Sequence, residues 1–146
     1  MRVIKFRAWN KEMREMLQVD GIQLAEDAPS PKPCIIDQHN DVHDLEEVEL
    51  MQFTGLLDKN GKEIYEGDIV MYENDYPGEA YGDAPHPSEE HNDFAVVEWS
   101  AEARWNLNAD INGNRSKSAD WIHEYDGAME IIGNVYESPE LLTAPN

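Results

Sequence analysis

Residues 50–72 read LMQFTGLLDKNGKEIYEGDIVMY, and this stretch limits the fold more than any other. Asn60-Gly61 is the dipeptide that best accommodates the positive φ of a tight hairpin turn. Before it, Met51-Gln52-Phe53-Thr54 alternates apolar and polar residues, the period of a half-buried strand. After it, Lys62-Glu63-Ile64-Tyr65 supplies a return strand. Glu66-Gly67-Asp68 turns the chain again: Gly67 brings backbone freedom, and the Asp68 side chain can bond the backbone two residues on. Ile69-Val70-Met71-Tyr72 is β-branched and aromatic, the composition of a buried strand. The stretch predicts a hairpin, a tight turn and a buried strand, with Asn60, Gly61, Gly67 and Asp68 forming the turns. Glu66 and Asp68 are also the most inviting carboxylate pair for acid–base chemistry, but Asp and Gly at turns have an ordinary structural role, and that reading is preferred.

The residues on the N-terminal side extend the same pattern. Ile4, Phe6 and Ala8 fall on one face of an alternating run, with Val3, Lys5, Arg7 and Trp9 on the other. Asn10-Lys11-Glu12 is a polar turn and residues 13–19 return as a second strand; a helix over residues 11–18 is the competing reading. Arg2, Lys5, Arg7, Lys11 and Arg14 give this hairpin a basic excess in an acidic chain. They either pair with nearby carboxylates or form a contact between subunits of a homo-oligomer. Asp20-Gly21 is expected to turn. Residues 28–33 form a proline-rich loop. Cys34-Ile35-Ile36 is a brief buried strand, and Cys34, the single cysteine, excludes an intrachain disulfide. His39, Asp41, His43 and Asp44 are metal-ligating types, but a His-x-x-x-His pair needs a helix and this segment reads as a turn, so solvated loop histidines are expected. Residues 45–49 either lead as a strand into Phe53 or make a helical turn at Leu45-Glu46-Glu47.

Beyond Tyr72 the pattern breaks. Residues 74–93 are rich in proline, glycine and acid and contain no aliphatic residue larger than alanine, so they cannot bury enough surface to offset ordering. A mobile acidic insertion is expected, with Tyr76 and Tyr81 as candidate partner contacts. His86, Glu89, Glu90, His91 and Asp93 could hold a cation only weakly. Residues 94–99 and 104–108 read as strands, Ile111-Asn112-Gly113-Asn114 as a turn, and residues 129–136 as the last strand, with a bulge or close backbone approach at Gly133. Ser138-Pro139 suits the start of a short helical turn in which Leu141 and Leu142 dock. Residues 143–146 are expected to fray.

Three segments, IKFRAWNKEMREM, TGLLDKNGKEIYEGDIV and IIGNVYESPELL, together resemble the YopX family of phage and prophage proteins. The resemblance spans both ends and the middle of the chain. It implies a mainly β protein with an SH3-like barrel core, to which the residues add an N-terminal β-hairpin, the acidic insertion and a C-terminal helical turn. It implies no activity and carries over no catalytic residue.

Composition sets the remaining bounds. A chain of 146 residues is expected to form one domain over residues 1–146. Its net charge of −20 argues against direct binding to nucleic-acid phosphates and to anionic membranes. No apolar run approaches membrane-spanning length, and MRVIKFRAW lacks the apolar core of a secretory leader, so the host cytoplasm is the expected compartment. There is no phosphate-binding glycine loop, nucleophile elbow or Cys-x-x-Cys. Trp9, Trp99, Trp105 and Trp121 could stack on single-stranded nucleic acid, but no basic groove accompanies them. No catalytic residue, cofactor or metal site is therefore assigned. The leading expectation is a non-enzymatic module with a strongly acidic surface that binds a protein partner. An acidic nucleic-acid mimic and an enzyme with a carboxylate-lined cleft remain as alternatives.

Overall fold

The alternation in the first residues becomes a hairpin in the structure, a computed structural model that describes residues 3–24, 32–73, 92–99, 105–108, 120–121 and 127–142. Strand β1 (Phe6–Asn10) pairs antiparallel with β2 (Glu15–Gln23), Ala8 facing Leu17. Asn10 closes the turn: its Oδ1 accepts the backbone N–H groups of Glu12 and Met13 at 3.0 and 2.9 Å. This settles the hairpin over the helix for residues 11–18. Asp20-Gly21 is not a turn. Both lie inside β2, where the register against the next strand shifts between Val19 and Gly21, so the extra residue is taken up as a bulge.

Strands β3 (Cys34–Asp37), β4 (Val42–Asp44), β5 (Val48–Leu57) and β6 (Glu63–Tyr65) complete a six-stranded sheet ordered β4-β3-β2-β1-β5-β6. A second sheet holds β7 (Asp68–Glu73), β8 (Asn92–Trp99), β9 (Trp105–Asn108), β10 (Asp120–Trp121) and β11 (Glu130–Asn134), in the order β10-β9-β8-β7-β11. Among the described residues every pairing is antiparallel. Among the described residues the helical content is one 3-10 turn, Pro139–Leu142. The protein is mainly β.

The expectation of a barrel needs correction, because among the described residues neither sheet closes on itself. Two β5–β6 residue pairs remain, Phe53 with Tyr65 and Leu57 with Glu63, and the register shifts between them. Gly55, at φ 89°, lies in that shift. Beyond β11 stands a turn rather than a strand. Lys59 N–H donates to the Met129 carbonyl at 2.8 Å, and Ile131 N–H donates to Asp58 Oδ2 at 3.2 Å. Two such bonds cover the strand end without a ladder.

The larger core lies on the second sheet and β6: Ile64, Val70, Tyr72, Ala95, Val97, Trp105, Leu107 and Met129, with Leu56 and Ile131 packed against it. Complete burial of one such aliphatic side chain contributes about 1.5–3 kcal/mol. A smaller cluster of Ala8, Ile35 and Val48, joined by Val19, Leu45 and Leu50, occupies one face of the first sheet. Of the expected insertion over residues 74–93, only Asn92 and Asp93 fall within the described residues, and they begin β8. Tyr76, Tyr81, His86, Glu89, Glu90 and His91 lie outside them, as do residues 109–119 and 143–146.

Candidate functional site

Alternation along β1 puts Arg7 and Trp9 on the face opposite Ala8, and β5 sets Met51 beside Arg7. That face meets the turn between β6 and β7. Gly67 has φ 82°, and a Cβ there would lie 3.4 Å from Val135 Cγ2 and 3.5 Å from Met51 Sδ. The Gly67 N–H donates to the Val97 carbonyl and the Gly67 carbonyl accepts from Val135 N–H, both at 2.9 Å. The turn therefore touches β5, β8 and the segment after β11. Trp9 stacks on Tyr136 beside it, ring centroids 5.9 Å apart. Gly133 makes a second close approach: a Cβ there would lie 2.6 Å from Ser138 Oγ, next to the register shift between Ile131 and Gly133.

A polar cluster fills this junction. Asp68 is 1% exposed, and Arg7 Nη2 donates to its Oδ1 at 2.5 Å. Its Oδ2 accepts Tyr65 N–H at 2.8 Å. The Arg7 guanidinium also lies over the Tyr65 ring, 4.7 Å from the centroid. Tyr65 O–H donates to Glu63 Oε2 at 2.9 Å, and Lys5 pairs with the other Glu63 oxygen. Burial pushes the Asp68 carboxyl up from its ordinary value, with Arg7 and the Tyr65 N–H pulling the other way and the Glu137 charge adding to the rise. Burial and the Glu63 contact raise the Tyr65 phenol to about 12. Tyr136 is raised by burial and then by the charges of Glu49 and Glu66. The Lys5 contact holds Glu63 below its usual value. A carboxyl raised by burial suits general acid chemistry, but both Asp68 oxygens are engaged and its side chain is almost fully enclosed. What the arrangement does chemically is lock the first sheet to the 66–68 turn.

A second cluster lies at the other end of β1. His43, expected on a solvated loop, is on β4 with its side chain 12% exposed. Its Nε2–H donates to Asp37 Oδ2 at 2.9 Å, and its Nδ1 faces Asn10 Nδ2 at 3.4 Å. Asp37 Oδ1 accepts the backbone N–H groups of His39 and Asp41. The His43 hydrogen bond holds the Asp37 carboxyl below its ordinary value; burial opposes this and the Asp41 and His39 N–H groups add to it. The pairing of β4 with β3 brings His43 inward, a contact that residue types in a short polar run do not reveal. His39 and Asp41 serve this cluster through their backbones. Among the described residues, no group of three His, Cys, Asp or Glu side chains is placed to hold a metal. Cys34 is buried.

Asp58 was not singled out from sequence, yet it organises the central hairpin. Its Oδ1 accepts Asn60 and Lys62 N–H at 2.8 and 2.9 Å, and its Oδ2 accepts Ile131 N–H. Burial works against ionisation, but these N–H groups outweigh it and keep the carboxyl below its ordinary value. The legible signal was an aspartate at the first position of a turn. Gly61 has φ 82° and its N–H donates to the Asp58 carbonyl.

Three basic residues of the N-terminal hairpin, Lys5, Arg7 and Lys11, pair with carboxylates of the same chain, as do two lysines outside it. Lys5, Arg7, Lys11, Lys32 and Lys59 form ion pairs with Glu63, Asp68, Glu49, Glu46 and Glu130. These are five of the seven lysines and arginines among the described residues, the others being Arg14 and Lys62, against twenty aspartates and glutamates there. Glu12, Glu15 and Asp20 are exposed on or beside β2. Of the tryptophans whose side chains are described, Trp9 is buried against Tyr136 on β1, while Trp99 is half exposed and meets Trp105 edge-on in the second sheet, so these three do not share one platform.

A family model described as "YopX protein" matches residues 5–143. Among solved structures, the chain is similar to protein EF1440 from Enterococcus faecalis. The identity is 23%, the TM-score is 0.56, and the match covers 97% of this chain and 99% of that one. At that identity the likeness shows a common fold. No curated protein matches.

Proposed function

The chain belongs to the YopX family, and on that premise we propose that it is a phage or prophage accessory protein that presents an acidic surface to a basic protein partner and performs no catalysis of its own. The carrying observation is the distribution of charge. Most described cations are tied to carboxylates of the same chain, so the surplus behind a net charge of −20 is left to solvent and partners. The field of such a surface speeds encounter with a basic target and is shortened by salt, to a reach of ~8 Å at physiological ionic strength. The junction around Arg7, Tyr65 and Asp68 then serves as a brace that keeps the two sheets in place, and the second sheet with the β5–β6 hairpin is read as an opened SH3-like unit. Among the described residues no helix is long and apolar enough to cross a membrane, and the proposed setting is the host cytoplasm.

The test is affinity capture from host lysate across a salt series. Enrichment of a basic protein at low salt, lost as salt rises, supports the reading. A captured DNA- or RNA-binding protein would specialise it to nucleic-acid mimicry. No specific enrichment at any salt overturns it.

A further inference from the structure

We propose that His43 is a proton-sensitive latch between the β1–β2 turn and the β3–β4 hairpin. Its ring is enclosed by two partners that fix its tautomer. Asn10 Oδ1 is held by Glu12 and Met13 N–H, so its amide cannot reverse without releasing both bonds. Asn10 Nδ2 therefore points its hydrogen at His43 Nδ1, which must accept. The ring proton is then on Nε2, donated to Asp37 Oδ2. Asp37 in turn holds the His39 and Asp41 amides. A single chain of hydrogen bonds thus connects the turn after β1 to the turn after β3.

Proton uptake from solvent makes both ring nitrogens donors. Nδ1–H would then confront the Asn10 NH2, donor against donor, while the charged ring gains attraction to Asp37. The surrounding charges keep the protonated ring in place. Asp37 faces it from β3, Asp41 and Asp44 flank it on its own hairpin, and Glu47 accepts the Asp44 N–H. Of the two cations of the β1–β2 turn, Lys11 and Arg14, Lys11 is tied to the Glu46 carbonyl and the Glu49 carboxylate and Arg14 is exposed. So the ring stays and the contact to Asn10 opens. What is released is an exposed turn carrying Met13, 61% exposed, and Arg14, held at φ 56°.

The experiment is two-dimensional NMR of the full chain from about pH 8 to about pH 5, reading the His43 ring nitrogens and the exchange rates of the Glu12 and Met13 amides. At the upper end the ring is expected to show the Nε2–H tautomer. Through the His43 titration the two amides, corrected for intrinsic rate, should exchange about fivefold faster, the worth of one net hydrogen bond. The variant Asn10→Asp keeps an oxygen for Glu12 and Met13 and offers a second to Nδ1–H, so its amides should instead slow as His43 is protonated. An Nδ1–H tautomer at high pH, or exchange of Glu12 and Met13 that ignores the His43 titration in the wild type, overturns the proposal, whether or not the variant folds.

Discussion

Replacing Arg7 by Met leaves Asp68 as a buried carboxylate without its charge partner. The Asp68 side chain is 1% exposed and that of Arg7 17%, so solvent screens the pair weakly. Removing one member of such a pair costs about 3–5 kcal/mol, because the remaining charge cannot be rehydrated. Contact with the Tyr65 ring adds to the loss, and the methionine stem retains part of the packing. For a chain of this size about 3–5 kcal/mol corresponds to a fall in Tm on the order of 10 °C. The cost must depend on pH. Burial already raises Asp68, with Arg7 opposing that rise; without Arg7 the rise grows, and the folded variant binds a proton that the unfolded chain releases. Its stability relative to wild type therefore improves as pH falls through the folded-state value of Asp68 toward the ordinary carboxylate range of about 4. Urea unfolding followed by tryptophan fluorescence, at about pH 7 and about pH 5, measures both effects. In the double variant Arg7→Met with Asp68→Asn, the amide oxygen can still accept Tyr65 N–H, and much of the stability should return. A loss below about 1 kcal/mol for Arg7→Met, the value of a surface pair, or a loss that does not change with pH, would refute the reasoning.

Gly67→Ala should cost about 1–2 kcal/mol in the same unfolding assay, since a Cβ at φ 82° is strained although its neighbours stand at 3.4 Å or more; Gly67→Val should cost more, because a β-branched residue there is a genuine outlier. Gly133→Ala should lower Tm by forcing a Cβ to 2.6 Å from Ser138 Oγ, and Ser138→Gly should restore much of the loss by removing the atoms it meets. Asp58 and Asp37 lie below their ordinary values when folded, so each contributes stability above the unfolded carboxylate range that is lost as pH falls through its folded-state value. Asp58→Asn should flatten the acid limb of a pH-dependent melting curve, and an unchanged limb counts against the assignment.

The mainly β class and most strand positions were legible because alternation and β-branched runs act locally. The run from Met51 to Tyr72 carried its own turn residues, and Cys34-Ile35-Ile36 its own apolarity. What sequence could not supply were pairings between distant strands. Asp20-Gly21 has turn composition, but β3 pairs alongside and absorbs it as a bulge. His43 has loop neighbours, but the β3–β4 pairing turns it onto Asp37. The partners of Arg7 and Asp58 lie about sixty and seventy residues along the chain, at Asp68 and Ile131, and no local pattern encodes such contacts. The barrel expectation likewise turned on a distant pairing, at the edge of β11, where the turn at Asp58 and Lys59 makes two hydrogen bonds in place of a ladder.

The functional claim is that surplus surface carboxylate, and not a cleft, draws the partner in. It is tested most directly by the association and dissociation rates of the captured partner on the purified chain, measured from about 0.05 M to about 0.5 M salt, over which the Debye length shrinks severalfold. The account predicts an association rate that falls steeply over this range while dissociation changes little. It further predicts that charge reversal at Glu12, Glu15 and Asp20 reproduces part of that fall at low salt. An association rate that is flat across the series, with affinity carried by dissociation alone, would contradict it.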